Sequence, residues 1–181
     1  MATSSQAVFI LKASRPGLWF VTLWLYLMPL AGSIDLHSPR FWAGLLAVTF
    51  PLNLVVYGWN DLVDRETDRA NPRKDSWLFG ACGTDAQLGA LPRVIWAVGL
   101  LTTAALAALA GIGVVAVAAV IALFCAAYNH PTQGLRGRPP GDLLCQVGYL
   151  LTVVLGCVVN DVSLPPIATW AYLSLFCAQS Q

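Results

Sequence analysis

The sequence predicts an all-α protein, a polytopic bundle of transmembrane helices, and three observations carry that prediction. Hydrophobic residues fill 57% of the 181 positions and charged residues only 10%, whereas a soluble domain carries about 25% charged residues. The mean hydropathy is +0.68. Uncharged apolar runs recur along the whole chain, and the charges collect between them. So little charge cannot coat a globule in water, and a net charge of +1 offers no basic face to a nucleic acid. Soluble, disordered and nucleic-acid-binding classes are thereby excluded. The lipid bilayer is the expected surroundings.

A crossing helix needs roughly 20 mainly apolar residues. The uncharged run 17–34 follows Lys12, Arg15 and Pro16 and predicts a first span, retained rather than cleaved as a signal. Residues 41–59 predict the second. The stretch 94–127 is too long for one crossing, since roughly 34 residues at 1.5 Å each reach about 51 Å. Gly111-Ile112-Gly113 lies in its middle and predicts a tight turn between two antiparallel spans. Residues 143–159 predict the fifth span, and 166–178 begin a sixth, giving about five complete spans and a partial sixth.

Basic residues orient this arrangement. With the amino terminus in the cytosol, Lys12 and Arg15 lie inside. So do Arg65, Arg69, Arg73, Lys74 and Arg93 after the second span, and Arg136 and Arg138 after the fourth; Arg40 alone falls outside. An integral, multi-pass protein with its amino terminus and polar loops in the cytosol is expected.

The acids are concentrated where the second span reaches that cytosolic end, in the segment Asn60-Asp61-Leu62-Val63-Asp64-Arg65-Glu66-Thr67-Asp68. If the helix continues at about 100° per residue from Asn60, Asp64 falls near 40°, Asp68 near 80° and Asp61 near 100°. All four side chains then share one stripe, while Arg65, Glu66 and Arg69 point elsewhere. Like charges so spaced repel, and beside a bilayer the cost rises, so a counter-charge is required. Three carboxylates and an amide oxygen suit a hard divalent ion, above all magnesium with its preference for carboxylates, retained waters and phosphate oxygens. The simpler alternative is a solvated helix end whose acids pair with Arg65, Arg69 and Arg73.

A second polar island, 128–142, faces the same side and sets Arg136 and Arg138 among glycines and prolines. Guanidinium groups suit bidentate contact with phosphate, although positive-inside anchoring would also place arginines there. His37 and His130 lack partner spacing for a metal. Cys82, Cys125, Cys145, Cys157 and Cys177 form no C-x-x-C pair and read as small buried hydrophobes. Tryptophans near span ends, such as Trp19, Trp59 and Trp77, read as interfacial belts.

These residues carry a resemblance. Asn60-Asp61-x-x-Asp64-x-x-x-Asp68 at the cytosolic end of a second span resembles the first aspartate-rich motif of the UbiA superfamily of intramembrane prenyltransferases. Arg15-Pro16 before the first span is similar to that family too. So is Tyr128-x-x-Pro131 followed by Leu135-Arg136 and Arg138-Pro139, although Thr132 and Gly134 depart from the pattern. Asn71-Pro72-Arg73-Lys74 is similar to carotenoid-elongating members.

The resemblance implies a magnesium-dependent transfer of an isoprenyl group from an allylic isoprenoid diphosphate to a lipophilic acceptor within the membrane. It implies that Asn60, Asp61, Asp64 and Asp68 hold Mg2+ and the diphosphate. Arg73, Lys74, Arg136 and Arg138 would contact phosphate oxygens, and Tyr128 would line the cavity near the reacting carbon. It covers 1–181 as a single transmembrane domain, yet the second aspartate-rich motif of that family is absent and about three spans are missing at the carboxyl end. A fragment of a longer enzyme is expected. Two other readings are a truncated, non-catalytic paralogue that binds isoprenoid diphosphate or a partner, and a small ion or phosphate transporter. The transporter is disfavoured because 94–127 and 143–159 carry no charged residue.

Overall fold

The computed structural model of the chain describes residues 5–30, 32, 34–130 and 139–179. Among the described residues it is all helical, with a single isolated bridge between Ser76 and Gly80 and no strand. Helix α1 (Gln6–Ala13) starts where the Ser5 hydroxyl accepts a hydrogen bond from Val8 N. A 3₁₀ turn, Pro16–Leu18, leads into α2 (Trp19–Leu27), which a second such turn, Met28–Leu30, prolongs. Together Gln6–Leu30 forms an apolar stretch long enough to cross a bilayer.

The second span, Pro39–Val63, is two helices, α3 (Pro39–Ala47) and α4 (Phe50–Val63). Pro51 causes the break, because it has no N–H for the Ala47 carbonyl four residues back and its ring crowds that carbonyl. Side chains satisfy the groups exposed there. The Thr22 hydroxyl donates to Val48 O at 2.6 Å, and Asn53 Nδ2 reaches Val48 O at 2.9 Å and Thr49 O at 2.7 Å. A free backbone carbonyl inside a bilayer costs several kcal/mol, so these two polar side chains are fully buried for a reason.

Beyond α4 the chain bends at Asp64 into the short α5 (Arg65–Arg69), where a continuous helix is expected from the sequence. Thr84 and Gln87 form a reciprocal capping box that opens α6 (Asp85–Ala110), nine residues ahead of the apolar run. Gly111, with φ 92°, makes the expected turn into α7 (Gly113–Tyr128). Helices α8 (Pro139–Asn160) and α9 (Ile167–Gln179) complete the order. Gln6–Leu30, Pro39–Val63 and Asp85–Ala110 have full crossing length, and Gly113–Tyr128 and Cys145–Asn160 are shorter apolar helices.

Helix α4 packs along α6, α7 along α8, and α2 along α8. Tyr26, Phe41, Val48, Leu106, Ile121 and Leu155 belong to the central core. A second cluster, with Phe9, Ala13, Leu54, Leu91 and Ile95, lies where α1 meets α4 and α6. Phe20, Leu46, Leu101, Leu123 and Leu175 point outward, a disposition that lipid accommodates and water does not. The fold is a multi-pass membrane helix bundle.

Cysteine burial corrects one expectation. Cys125 and Cys157 are buried and Cys145 half-buried, but Cys82 is exposed in the segment before α6; all four are free thiols. The side chain of Cys177 lies outside the described residues.

Candidate functional site

Helix α4 delivers Asn60 and Asp61 at its carboxyl end, one turn beyond Tyr57. The Asp61 side chain is 1% exposed. Its Oδ1 accepts from Lys74 Nζ at 2.6 Å and from Arg15 Nη2 at 3.0 Å, and its Oδ2 faces Ala81 N at 3.4 Å. Lys74, itself only 6% exposed, lies 2.7 Å from Asp68 Oδ2 as well. That second contact is ionic without hydrogen-bond alignment, so Asp68 Oδ2 has no hydrogen-bond donor among the described residues. One ammonium thus bridges two carboxylates on either side of the Asp64 bend.

The segment 71–81 is folded back to make this possible. Lys12 Nζ donates to Asp75 Oδ1 at 2.9 Å and to Asp75 O at 3.1 Å, and lies over the Trp77 ring. Gly17 N donates to Trp77 O at 2.9 Å. Ser76 and Gly80 exchange backbone hydrogen bonds at 3.0 and 3.2 Å. Gly80 has φ 92°, and a Cβ there would stand 2.9 Å from Asp61 Oδ2. Only glycine lets the backbone pass so close to the buried carboxylate. Arg15 and Asp75 both take left-handed backbone conformations, φ 50° and 61°. Such conformations persist only where the surroundings hold them, and here the ion pairs do.

The Arg15 guanidinium also stacks on the Tyr57 ring, 4.6 Å from its centroid, and the Tyr57 hydroxyl meets that of Tyr149 at 2.9 Å. These phenols line a cavity of ≈ 90 Å³ together with Asn60, Tyr128, Asn129 and Cys145. A second cavity of ≈ 270 Å³ lies between α4, α6 and α7, almost wholly apolar, with Trp59, Trp96 and Leu106 in its wall. Leu52 and Ile121 border both. A mostly apolar chamber that carries several polar groups and a second, almost wholly apolar one therefore adjoin each other.

The fold brings some of the expected site residues together and leaves others apart. Asn60, Asp61, Asp68, Lys74 and Tyr128 gather around the end of α4 and its cavity. Asp64 stands at the bend between Asp61 and Asp68. Arg73 is exposed and stacks on Phe79, 4.7 Å from the ring centroid. Arg69 pairs with Asp85 at the surface instead of with the stripe. Arg136 and Arg138 lie outside the described residues. The counter-charges of Asp61 are Arg15 and Lys74, and that of Asp68 is Lys74, rather than the Arg65, Arg69 and Arg73 of the solvated-end alternative.

Arg15, Tyr57, Tyr149 and Asn129 are the residues that sequence reasoning left without a role. A signal for Tyr57 was available, since it precedes Asn60 and Asp61 by three and four positions and shares their helix face. Arg15 had a weaker one, a lone guanidinium entering an apolar run. Asn129 stands in the polar island 128–142 beside Tyr128, and nothing local marks Tyr149.

The donor chemistry fits a hard cation in part. Asp61 and Asp68 offer oxygen ligands that already converge on one positive point, and Asp68 Oδ2 is buried without a donor. Among the described residues, however, no three histidine, cysteine or acidic side chains gather closely enough to hold a metal by themselves. Two carboxylates against Arg15 and Lys74 leave the cluster neutral. A bound dication with an anionic ligand would preserve that balance, the cation taking carboxylates and the anion taking the basic groups.

The fold and site thus define a membrane helix bundle with a buried acid–base cluster at one end of its second span. Comparison with known proteins gives matching relatives. The chain is 31% identical over 175 residues to a lycopene elongase/hydratase of Corynebacterium glutamicum, covering 92% of this chain and 58% of the relative. It is 28% identical over 162 residues to a lycopene elongase/hydratase of Haloarcula japonica, covering 87% of this chain and 54% of that protein. The chain therefore spans less than two thirds of the length of these relatives. No family model and no solved structure matches it.

Proposed function

We propose that the chain is part of an intramembrane prenyltransferase of the UbiA type. It would transfer an isoprenyl group from an allylic isoprenoid diphosphate to a lipophilic acceptor, a carotenoid such as the lycopene named for its relatives. The observation that carries this reading is the convergence of Asp61 and Asp68 on Lys74, joined through Arg15 and the Tyr57 ring to the cavity that Asn60 and Tyr128 line. Arg15 and Lys74 supply charge for phosphate oxygens, and the apolar cavity beside them suits a hydrocarbon chain.

Asn60, Asp61, Asp64 and Asp68 would hold Mg2+, which when bound neutralises charge on the diphosphate and so favours its departure. The protein residues bind and orient. Lys74 and Arg15 would exchange carboxylate for phosphate contacts, and Arg136 and Arg138 would contact phosphate oxygens as well. The low-water interior strengthens each of these charge contacts and protects the allylic cation. Tyr128 lies along the cavity near the reacting carbon. The distribution of basic residues supports a cytosolic position for this end.

The test is magnesium-dependent binding of an allylic diphosphate by the full-length protein in lipid. Asp64→Asn is expected to abolish it and leave membrane insertion intact; undiminished binding would remove the motif from the site. Arg136→Ala should weaken binding of the diphosphate, and an equal loss with the uncharged isoprenoid alcohol would show a folding effect instead.

A further inference from the structure

The ammonium of Lys74 stands between two carboxylates that would otherwise repel each other. Its Nζ lies 2.6 Å from Asp61 Oδ1 and 2.7 Å from Asp68 Oδ2, and the side chain is only 6% exposed. Magnesium sits about 2.0–2.1 Å from its oxygen ligands. A metal ion bound between these same two oxygens needs the space that Nζ fills, and two cations cannot share it. The cluster is also neutral as it stands, Asp61 and Asp68 balancing Arg15 and Lys74. A bare dication added to it would leave two uncompensated charges in a buried site, which is strongly unfavourable.

The chain fixes Lys74 in this place through its neighbours. Asp75, next in sequence, takes Lys12 Nζ on its carboxylate at 2.9 Å and on its carbonyl at 3.1 Å. The same ammonium lies 5.8 Å from the centre of the Trp77 ring, and Trp77 O accepts from Gly17 N at 2.9 Å. These contacts clamp the residues after Lys74 to the entry of the first span, and none of them touches the acids. Asp75 and Trp77 are both exposed, so the clamp can open without unpacking the core.

We propose that Lys74 is a tethered counter-cation that sets the specificity of the site: it closes the acid pair to a free divalent metal and releases it only to a metal that arrives with a diphosphate. This rests on the prenyl-transfer reading above and adds an order of events to it. Phosphate oxygens offer the displaced ammonium a new partner, so the charge balance survives the exchange. A free metal ion offers none. The clamp of Lys12 on Asp75 maintains the closed arrangement, and the apparent affinity for metal alone is reduced in proportion to the fraction of molecules in which the pair stands open. Metal and diphosphate therefore bind as one unit.

The test is binding of Mn2+ alone by the full-length protein in lipid, read from the electron paramagnetic resonance of the bound ion. Lys74→Met should bind the ion at least about tenfold tighter than the wild type. Deleting a positive charge attracts a cation even without a clamp, so a second variant decides. Asp75→Asn combined with Trp77→Ala weakens the clamp and leaves Lys74 and the acids in place, at exposed positions where folding is not at stake. Asparagine tolerates the left-handed backbone at 75, where φ is 61°. This variant loses a negative charge, so simple electrostatics would weaken Mn2+ binding; release of the clamp should instead tighten it about threefold or more. Wild-type binding as tight as that of Lys74→Met overturns the proposal, and so does a double variant that binds no tighter than the wild type. Mn2+ held by none of the three proteins overturns it too. Retention of labelled inorganic diphosphate in the presence of Mg2+ then shows whether the prenyl-transfer reading stands without it.

Discussion

Lys74 reaches back thirteen positions to place its ammonium 2.6 Å from Asp61 in a pocket where neither side chain is more than 6% exposed. The pair joins the end of the second span to the segment that follows it. Removal of either partner leaves the other with a single counter-charge in a buried site, Arg15 for Asp61 and Asp68 for Lys74, and breaking a buried pair costs up to about 3–5 kcal/mol. Lys74→Ala should therefore lower the unfolding midpoint of the detergent-solubilised protein sharply. The double variant Lys74→Met with Asp61→Asn should recover much of that loss. If the single variant melts like the wild type, the cluster is not structural.

Gly80 gives a separate handle on the same pocket. Its φ of 92° and the 2.9 Å that would separate a Cβ from Asp61 Oδ2 both forbid a side chain. Gly80→Ala should destabilise by about 1–3 kcal/mol. At Gly111 the φ is also 92° but space is open, so Gly111→Ala meets only the conformational term, itself about 1–3 kcal/mol, and Gly80→Ala should cost more. A comparison of the two melting curves separates crowding from backbone strain.

Asn53 should prove indispensable to the second span. It donates to Val48 O, Thr49 O and Thr22 Oγ1 at the break before Pro51. Asn53→Leu, similar in size but unable to donate, should cost about 1–3 kcal/mol or more. Proteolysis of the loops in native membranes would report the loosened bundle. Equal resistance of variant and wild type would mean that the break is satisfied in another way.

Thr84→Ala should cost about 1 kcal/mol through loss of the capping box with Gln87. Because the box lies outside the apolar run, the effect should appear as faster amide exchange in the first turn of α6, with the core unchanged.

Much of this fold was legible because lipid leaves few options. An uncharged run too long to cross once has to turn, and Gly111 can take the left-handed backbone that a tight turn demands, so α6 and α7 were foreseeable. The start of α6 at Asp85 was not, since its first turns are held by a polar cap and not by hydropathy. The clustering of Asp61 with Asp68 was foreseeable from helix periodicity, although the chain bends at Asp64 between them. Their partners were not. Arg15 lies 46 positions from Asp61, and no local pattern announces a pairing at that distance. The phenol pair of Tyr57 and Tyr149 spans 92 positions and is hidden for the same reason.

The fold-back of 71–81 carries a consequence for biogenesis. Chains emerge from the ribosome amino end first, so Arg15 is already in place when Asp61 follows, and Lys74 arrives thirteen residues later. Until then the carboxylate has one of its two cationic partners. The second span should therefore linger at the membrane surface and settle to its final depth only after Lys74 has been made, which couples its insertion to translation of the loop beyond it.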